Sequence, residues 1–499
     1  MEHKPHWRED HLIYNENVNY VPKKHWLKYF QSPENIGPLP DADAVGEAGG
    51  GCGDMVRIYL RFTDARITDA RFLASGCPAA IAGASACAEM VTGMTMVEAA
   101  AVGAERIASF LEDIPPSRTR CLELSATALA LALEYRAGAP DMKLPASDRV
   151  LVAMSGGVDS STTAALLHAQ EREILGITLR LHDYGTPSPR ACCTPADIDD
   201  AKAVALRVGF PHLVLDMRAE FKTEVIDRFT SSYLAGKTPN PCVECNRNLR
   251  FTHVLDKAAA LGASKIATGH YVRIAGPDRD GKFELRRAQD RSKDQSYMFW
   301  AASQEVLSRF IAPLGDLRKE EVRELAAGFG LPVADKLDSQ DVCFVPEGDY
   351  AAFVQRETGL IPAPGPIVDG SGAILGEHKG LINYTVGQRK GLGVSAPEPL
   401  YVLALDVNEN ALRVGIAGEL ATKRFEVSEL NLIRGEESAT PFDAEVMTRY
   451  NSDTIPARVH PVHDRKAVVE LKNAFGPVAP GQSAVFYDGD LVLGGGIIT

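Results

Sequence analysis

The sequence predicts a multidomain chain: a compact α+β unit, then a doubly wound α/β domain, then two small β modules, the second a C-terminal β-barrel. Three observations carry this. The chain has 499 residues, too many for a single hydrophobic core. From Arg149 onward, short apolar strands alternate with helices, the pattern of a parallel sheet. Beyond about residue 360, helices give way to short strands between Gly and Pro turns.

Taken in order, residues 1–26 form a polar, aromatic tail unlike a secretory signal. Residues 27–137 form the α+β unit. In "MVRIYLRF", Val56, Ile58, Leu60 and Phe62 share one face, the period of a half-buried strand. The polar "TDAR" and then "ITDARFLASGC" predict a hairpin. Three helices follow, over "AAIAGASACAEMVTG", "TMVEAAAVGAERIASFLEDI" and "LELSATALALALEYRAG". Residues 138–148 read as a linker. Residues 149–355 hold the α/β domain: "RVLVAM", "ILGITLRL", "HLVLDM" and "SKIATGHYVRI" are strands, with helices between them. Residues 356–425 are a central β module and 426–499 the barrel.

Hydrophobic residues make up 45% of the chain, ordinary for a globular protein. No apolar run approaches the roughly 18–20 residues that span a bilayer. The expectation is a cytoplasmic protein with no membrane partner. Nine cysteines in a chain this long do not suggest a disulfide framework; clustered cysteines in a reducing compartment more often bind metal or do chemistry. The net charge of −13 argues against a general nucleic-acid coat but leaves room for a local basic groove.

"VAMSGGVDSS" sets Gly156 and Gly157 between a strand and a helix. The glycines let backbone approach a ligand closely, and the helix N-terminus attracts phosphate. Asp159 could help hold Mg²⁺, and Ser155, Ser160 and Ser161 offer hydroxyls. No lysine follows, as a Walker loop would require. Taken alone, a plain strand–helix turn is an equal reading. The whole string resembles the pyrophosphate loop of the ATP pyrophosphatases, with an adenine nucleotide α-hydrolase-like fold. That resemblance implies cleavage of ATP between its α and β phosphates and adenylation of the substrate.

Seven strings in order extend the resemblance: "CCTPADIDDAKAVALRVGFPHLVLDM", "GKTPNPCVECNRNLRF", "ATGHYVRI", "RSKDQSYMFW", "LDSQDVCFVPEGDY", "GEHKGLINYTVGQRKGLGV" and "FYDGDLVLGGGII". Together they resemble the tRNA-specific 2-thiouridylases of the MnmA type over residues 148–499. The resemblance implies adenylation of the C2 oxygen of the wobble uridine, then displacement of AMP by sulfur. It assigns ATP to Ala153, Met154, Ser155, Gly156, Gly157, Val158, Asp159, Ser160, Leu179 and Gly269. The target base falls to Asn240, Pro241 and Cys242, and other parts of the tRNA to Lys293, Asp294, Gln295, Arg449 and Tyr450. Cys245 takes the nucleophile position and Cys343 the persulfide position. A cysteine desulfurase or another sulfur donor is the implied protein partner.

At position 242, where many of these enzymes carry Asp, this chain has Cys. Cys242, Cys245 and Cys343 would suit a 4Fe–4S cluster with one iron open to hydrosulfide. A zinc clip would want a fourth ligand, and a Cys242–Cys245 disulfide is the redox alternative. The cluster is favoured over the persulfide route. Cys192 and Cys193 carry no assigned role.

The N-terminal unit points the same way. "GCGDMVRIYL", "ASGCPAAIAGAS" and "TRCLELSATAL" resemble the IscU/NifU-type iron–sulfur scaffolds. That resemblance implies a nascent cluster on Cys52, Asp54, Cys77 and Cys121, with Arg120 where a His often precedes the third cysteine. Cys87 reads as core packing. A tethered scaffold would present cluster or sulfur at up to about millimolar effective concentration. Two rivals remain: another ligase with the same ATP loop, and an iron–sulfur carrier whose nucleotide domain only senses ATP.

Overall fold

The computed structural model describes residues 25–49, 54–115, 118–137, 147–182, 194–337, 342–345, 348–435 and 440–499. They fall into two units divided between Arg136 and Ala137. Cys52, Cys192, Cys193 and most of the linker lie outside the described residues.

The first unit is an antiparallel meander of Ala44–Gly49 (β1), Met55–Thr63 (β2) and Arg66–Ser75 (β3). Val56, Ile58 and Leu60 are buried as their alternation predicts. The expected second helix is two, Met96–Ala100 and Ala104–Leu111. The break has a local cause: Gly103 adopts an extended conformation and caps the second piece. Strand β1, "AVGEAG", was not among the expected elements, because Ala and Gly have little strand propensity. Its Gly46 explains the composition: a Cβ there would lie 2.0 Å from the Ala128 carbonyl oxygen and 2.4 Å from the Ala132 nitrogen. The helix Thr119–Ala137 therefore packs directly on strand backbone.

The second unit opens with strands Ser147–Ala153 (β4), Ile174–Arg180 (β5), His212–Asp216 (β6) and Ala263–Thr268 (β7). Val272–Ala275 (β8) and Glu284–Arg287 (β9) form a hairpin, and Phe310–Ile311 (β10) returns to the sheet. The parallel sheet runs β10-β7-β4-β5-β6. Val150, Val152, Leu167, Ile174 and Val204 belong to its core.

Gly365–Val368 (β11), Ile374–His378 (β12), Tyr401–Asp406 (β13) and Ala411–Gly415 (β14) make the central four-stranded sheet, around Ile367, Val402 and Leu412. The last six strands are Thr422–Leu432 (β15), Phe442–Met447 (β16), Ile455–Val462 (β17), Lys466–Phe475 (β18), Ser483–Asp488 (β19) and Leu491–Ile498 (β20). They run β15-β18-β17-β16-β19-β20, and β20 also pairs with β15, so the barrel is closed. The hairpin β8–β9 adds to the outside of β20 through Leu491 and Arg286.

Replacing Gly46 by Ala sets a side chain against helix backbone that cannot rotate away. We expect a loss of about 1–3 kcal/mol from the first unit. It should be read as faster amide hydrogen exchange in Thr119–Ala137, with β4–β7 unchanged.

Candidate active site and thiol centres

The phosphate loop sits where the parallel sheet reverses. The chain steps outward from β4 to β6, then crosses to β7 on the other side of β4. Ligands of open α/β sheets bind in the crevice at such a point. Ala153 ends β4, and the Met154 amide donates to the Ile177 carbonyl at 2.7 Å. Gly156 has φ +70°, and a Cβ there would lie 2.1 Å from the Asp197 carbonyl oxygen. Gly157 caps the helix Val158–Ala169 with no side-chain bond of its own. Ser160 Oγ accepts from the Ser155 amide at 3.1 Å and donates to the Gly157 carbonyl at 3.2 Å. Gly269, just after β7, forms the opposite wall: its Cβ would stand 2.6 Å from the Ser160 nitrogen. Leu179 is buried near the end of β5. The ten expected nucleotide positions thus come from three neighbouring strand ends.

Two lysines that sequence reasoning missed complete the loop. Lys319 Nζ lies 2.7 and 2.8 Å from the two Asp159 oxygens, and the Tyr271 hydroxyl donates to Oδ1 at 2.8 Å. Asp159 is therefore already neutralised by an ammonium. Lys336 Nζ donates to the Gly156 carbonyl (3.0 Å), Asp197 (2.6 Å) and Asp200 (2.5 Å). Burial alone would lower the Lys336 pKa, but its bonds to Asp197 and Asp200 outweigh that and raise it. Both lysines lie more than a hundred residues beyond the loop, so no local motif could reveal them.

The cysteine loop is anchored from both sides. Asn240 Oδ1 accepts from the Cys242 and Val243 amides at 3.1 and 3.3 Å, and Pro241 opens the short helix Pro241–Glu244. Cys245 begins a wide π-helical segment, Cys245–His253. From the barrel, the Pro480 carbonyl accepts from the Thr238 amide at 2.8 Å, and Gln482 Nε2 donates to the Thr238 carbonyl at 2.8 Å. Cys242 is exposed, Cys245 and Cys343 are half-buried, and none of the three is disulfide-bonded in this structure. The neighbour of Cys343, Phe344, is buried against Phe221 and Phe229. Those rings belong to the helical run that packs on the segment starting at Cys245.

The expected tRNA residues divide. Arg449 is exposed and Tyr450 half-buried, and the Tyr450 ring lies tilted against Tyr297 with centroids 5.9 Å apart. Burial first, then the charges of Asp294 and Cys242, raise the Tyr450 pKa. Asp294 is buried, and its oxygens accept from the Ala288 and Ser296 amides and the Ser296 hydroxyl. Gln295 Oε1 accepts from the Tyr271 amide at 2.9 Å. Asp294 and Gln295 therefore shape the loop from within, and Lys293 is half-buried beside them.

In the first unit, one ligand atom each from Asp54, Cys77 and Cys121 lies within 4.8 Å of the others. Among the described residues, Cys242, Cys245 and Cys343 do not form a group at that spacing. The two scaffold thiols are 3.3 Å apart, and Asp54 Oδ1 accepts from the Cys77 amide at 3.2 Å. Gly76 makes room: its Cβ would meet the Asp54 carboxylate at 2.4 Å. Burial, then the Cys77 bond and charge, then Asp54, push the Cys121 thiol up to about 11 against the pull of Arg118. Crowded acidic groups of this kind suit a metal that displaces their protons. Cys87 is fully buried and its thiol pushed up to about 12, as a core residue should be.

A parallel sheet with a lysine-free Ser-Gly-Gly loop at its switch point defines an ATP-binding enzyme of the pyrophosphate-loop class, here joined to a cysteine-bearing scaffold unit. Four domain families match in succession: NifU-like N terminal domain (22–139), tRNA methyl transferase HUP domain (148–347), tRNA methyl transferase PRC-barrel domain (352–416) and aminomethyltransferase beta-barrel domain (422–498). The tRNA-specific 2-thiouridylase MnmA of Heliobacterium modesticaldum is 46% identical over 355 residues, covering 70% of this chain and 92% of that protein. Its counterpart in Zymomonas mobilis is 48% identical over 361 residues, covering 71% and 94%. A crystal structure of an iron–sulfur assembly scaffold of the SUF system from Fervidobacterium islandicum aligns with 25% of this chain and 98% of its own, at 26% identity and a TM-score of 0.20. The chain belongs to the tRNA-specific 2-thiouridylase MnmA family and carries a NifU-like domain at its N-terminal end. Among the described residues, no helix is long and apolar enough to cross a membrane.

Gly269→Ala drives a methyl group into the backbone of the phosphate loop. ATP affinity, read by calorimetric titration, should fall roughly tenfold or more, a loss of about 1.4 kcal/mol. Unchanged affinity would remove Gly269 from the nucleotide wall.

Proposed function

We propose that this chain 2-thiolates the wobble uridine of tRNA in two stages, in the cytoplasm. The uridine C2 oxygen attacks the α-phosphorus of ATP and pyrophosphate leaves. Sulfur then bonds to C2 as the C2–O bond breaks, and AMP departs with the oxygen. The observation that carries this reading is the adjacency of two sites. The segment that begins at Cys245 is bonded through Arg250 to His270, the residue after Gly269 of the nucleotide wall.

In this reading Ala153–Ser160, Leu179 and Gly269 hold ATP. Mg²⁺ enters on the nucleotide phosphates, since Asp159 already faces Lys319. Asn240, Pro241 and Cys242 face the base, and Lys293, Arg449 and Tyr450 line the approach of the tRNA. Cys242, Cys245 and Cys343 are the residues that would hold an iron–sulfur cluster: cysteine thiolates are the usual ligands of such clusters, and none of the three is disulfide-bonded. When bound, such a cluster would supply iron that can bind sulfide, held in place by these three cysteines. On the scaffold unit, Cys52, Asp54, Cys77 and Cys121 carry a cluster as cargo, fed by a cysteine desulfurase or another donor.

The full chain, purified without oxygen and carrying Cys77→Ser and Cys121→Ser to silence the scaffold, should hold roughly four irons and matching acid-labile sulfide. Adding Cys242→Asp should abolish them. Iron-free protein that thiolates tRNA from a persulfide donor would overturn the cluster and leave Cys343 as persulfide carrier with Cys245 as its disulfide partner. In cells that depend on this chain, Cys343→Ala should eliminate 2-thiouridine from tRNA; its survival would remove Cys343 from the site.

A further inference from the structure

The adenylation and sulfur-delivery sites are built on different elements, and one partly buried polar chain joins them. Asn246, next to Cys245, is buried, and its Nδ2 donates to the Met298 carbonyl at 3.2 Å. Arg250 Nη1 donates to Asn246 Oδ1 at 3.3 Å and meets His270 Nε2 at 3.0 Å. His270 Nδ1 lies 2.7 Å from Thr268 Oγ1. Donor logic fixes the directions. A guanidinium can only donate, so His270 Nε2 accepts and the ring proton sits on Nδ1, directed at Thr268. Burial first, and Arg250 second, hold the His270 pKa well below its usual value, so the ring is neutral.

The segment from Thr268 to Tyr271 touches the phosphate loop twice. Gly269 lies against Ser160 and Asp159, and Tyr271 bonds Asp159. Its middle residue, His270, turns the other way, toward the thiol helix. That helix is a π segment, a form that is rare, of poorer stability than α, and frequent at functional sites. Arg250, within its second half, ties this segment to the nucleotide wall while its first residue is Cys245.

We propose that Arg250 and His270 are positioning residues that couple the ATP loop to Cys245, so that sulfur is delivered only at the uridine that has been adenylated. Neither touches the reacting atoms. Gly269 and Tyr271 lie against the loop, and the Arg250–His270 bond holds the thiol segment in register with that wall. This rests on Cys245 belonging to the sulfur-delivering set, and it holds whether Cys245 is a cluster ligand or an attacking thiol.

The test separates the two half-reactions in the full chain: tRNA-dependent pyrophosphate release for adenylation, and 2-thiouridine in the product for transfer. Arg250→Met should leave pyrophosphate release within about threefold while thiouridine falls on the order of 100-fold, the scale of a misplaced reacting group. Water then hydrolyses the adenylated uridine, releasing AMP and leaving the tRNA unmodified. His270→Phe, which keeps an aromatic ring and removes the acceptor, should uncouple in the same way. Arg250→Lys, which retains a donor, should restore part of the transfer, and it serves if Arg250→Met does not fold. Equal loss of both half-reactions, or no loss of transfer, overturns the coupling. Cys245→Ser is the control for the reading beneath it: a Cys245→Ser chain that still thiolates removes Cys245 from the delivering set and the coupling with it, whereas an inactive one leaves the Arg250 result to decide.

Discussion

The contact of Trp300 with Gly495 is the constraint on which the catalytic arrangement depends. Trp300 is fully buried, and a Cβ on Gly495 would lie 2.9 Å from its ring. The indole donates to Ser483 Oγ at 3.0 Å, the Tyr297 hydroxyl to the Ser483 carbonyl at 2.9 Å, and Asn431 Nδ2 to the Trp300 carbonyl at 2.8 Å. These bonds register the α/β domain on the barrel. With that register set, the barrel turn around Gly481 reaches Thr238, and Tyr450 comes against Tyr297. The thiol loop is thus shaped by two modules, and neither alone defines it.

Charge follows a related logic. The phosphate loop carries no lysine, and its cations arrive from elements far along the chain. Lys319 sits on Asp159, and Lys336 joins the Gly156 carbonyl to Asp197 and Asp200. A buried ammonium with a carboxylate partner is costly to unpair. A loop held this way keeps its shape before nucleotide arrives, so less ordering is needed on binding.

The sequence was informative where chemistry is local. The strand–glycine–helix string located the ATP loop, and alternation located β2 and the parallel strands. It was uninformative where the determinant is distant or negative. Lys319 and Lys336 follow the loop by 160 and 180 residues, and only folding brings them to Asp159 and Gly156. Asp294 entered only through a resemblance that assigned it to tRNA, and nothing local in the sequence revealed that its carboxylate braces its own loop. Strand β1 was hidden because what specifies it is an absent side chain at Gly46, read only against the helix it touches. The split at Gly103 is the same lesson on a smaller scale: a helical period ran through it, and one extended glycine stopped it.

The barrel closes by pairing β20 with β15, and the end of β20 also holds the turn that reaches the thiol loop. Gly481 donates to the Ile498 carbonyl at 2.9 Å, and Ile498 to the Gln482 carbonyl at 2.8 Å. During synthesis, domains fold broadly in the order they emerge from the ribosome. The ATP domain, complete before residue 360, can assemble early. Thr238 and the cysteines after it gain their barrel-side anchor only when Leu491–Ile498 has been made. A chain cut short before that strand would keep the nucleotide-binding domain while its cysteine loop lacked the barrel-side anchor at Thr238.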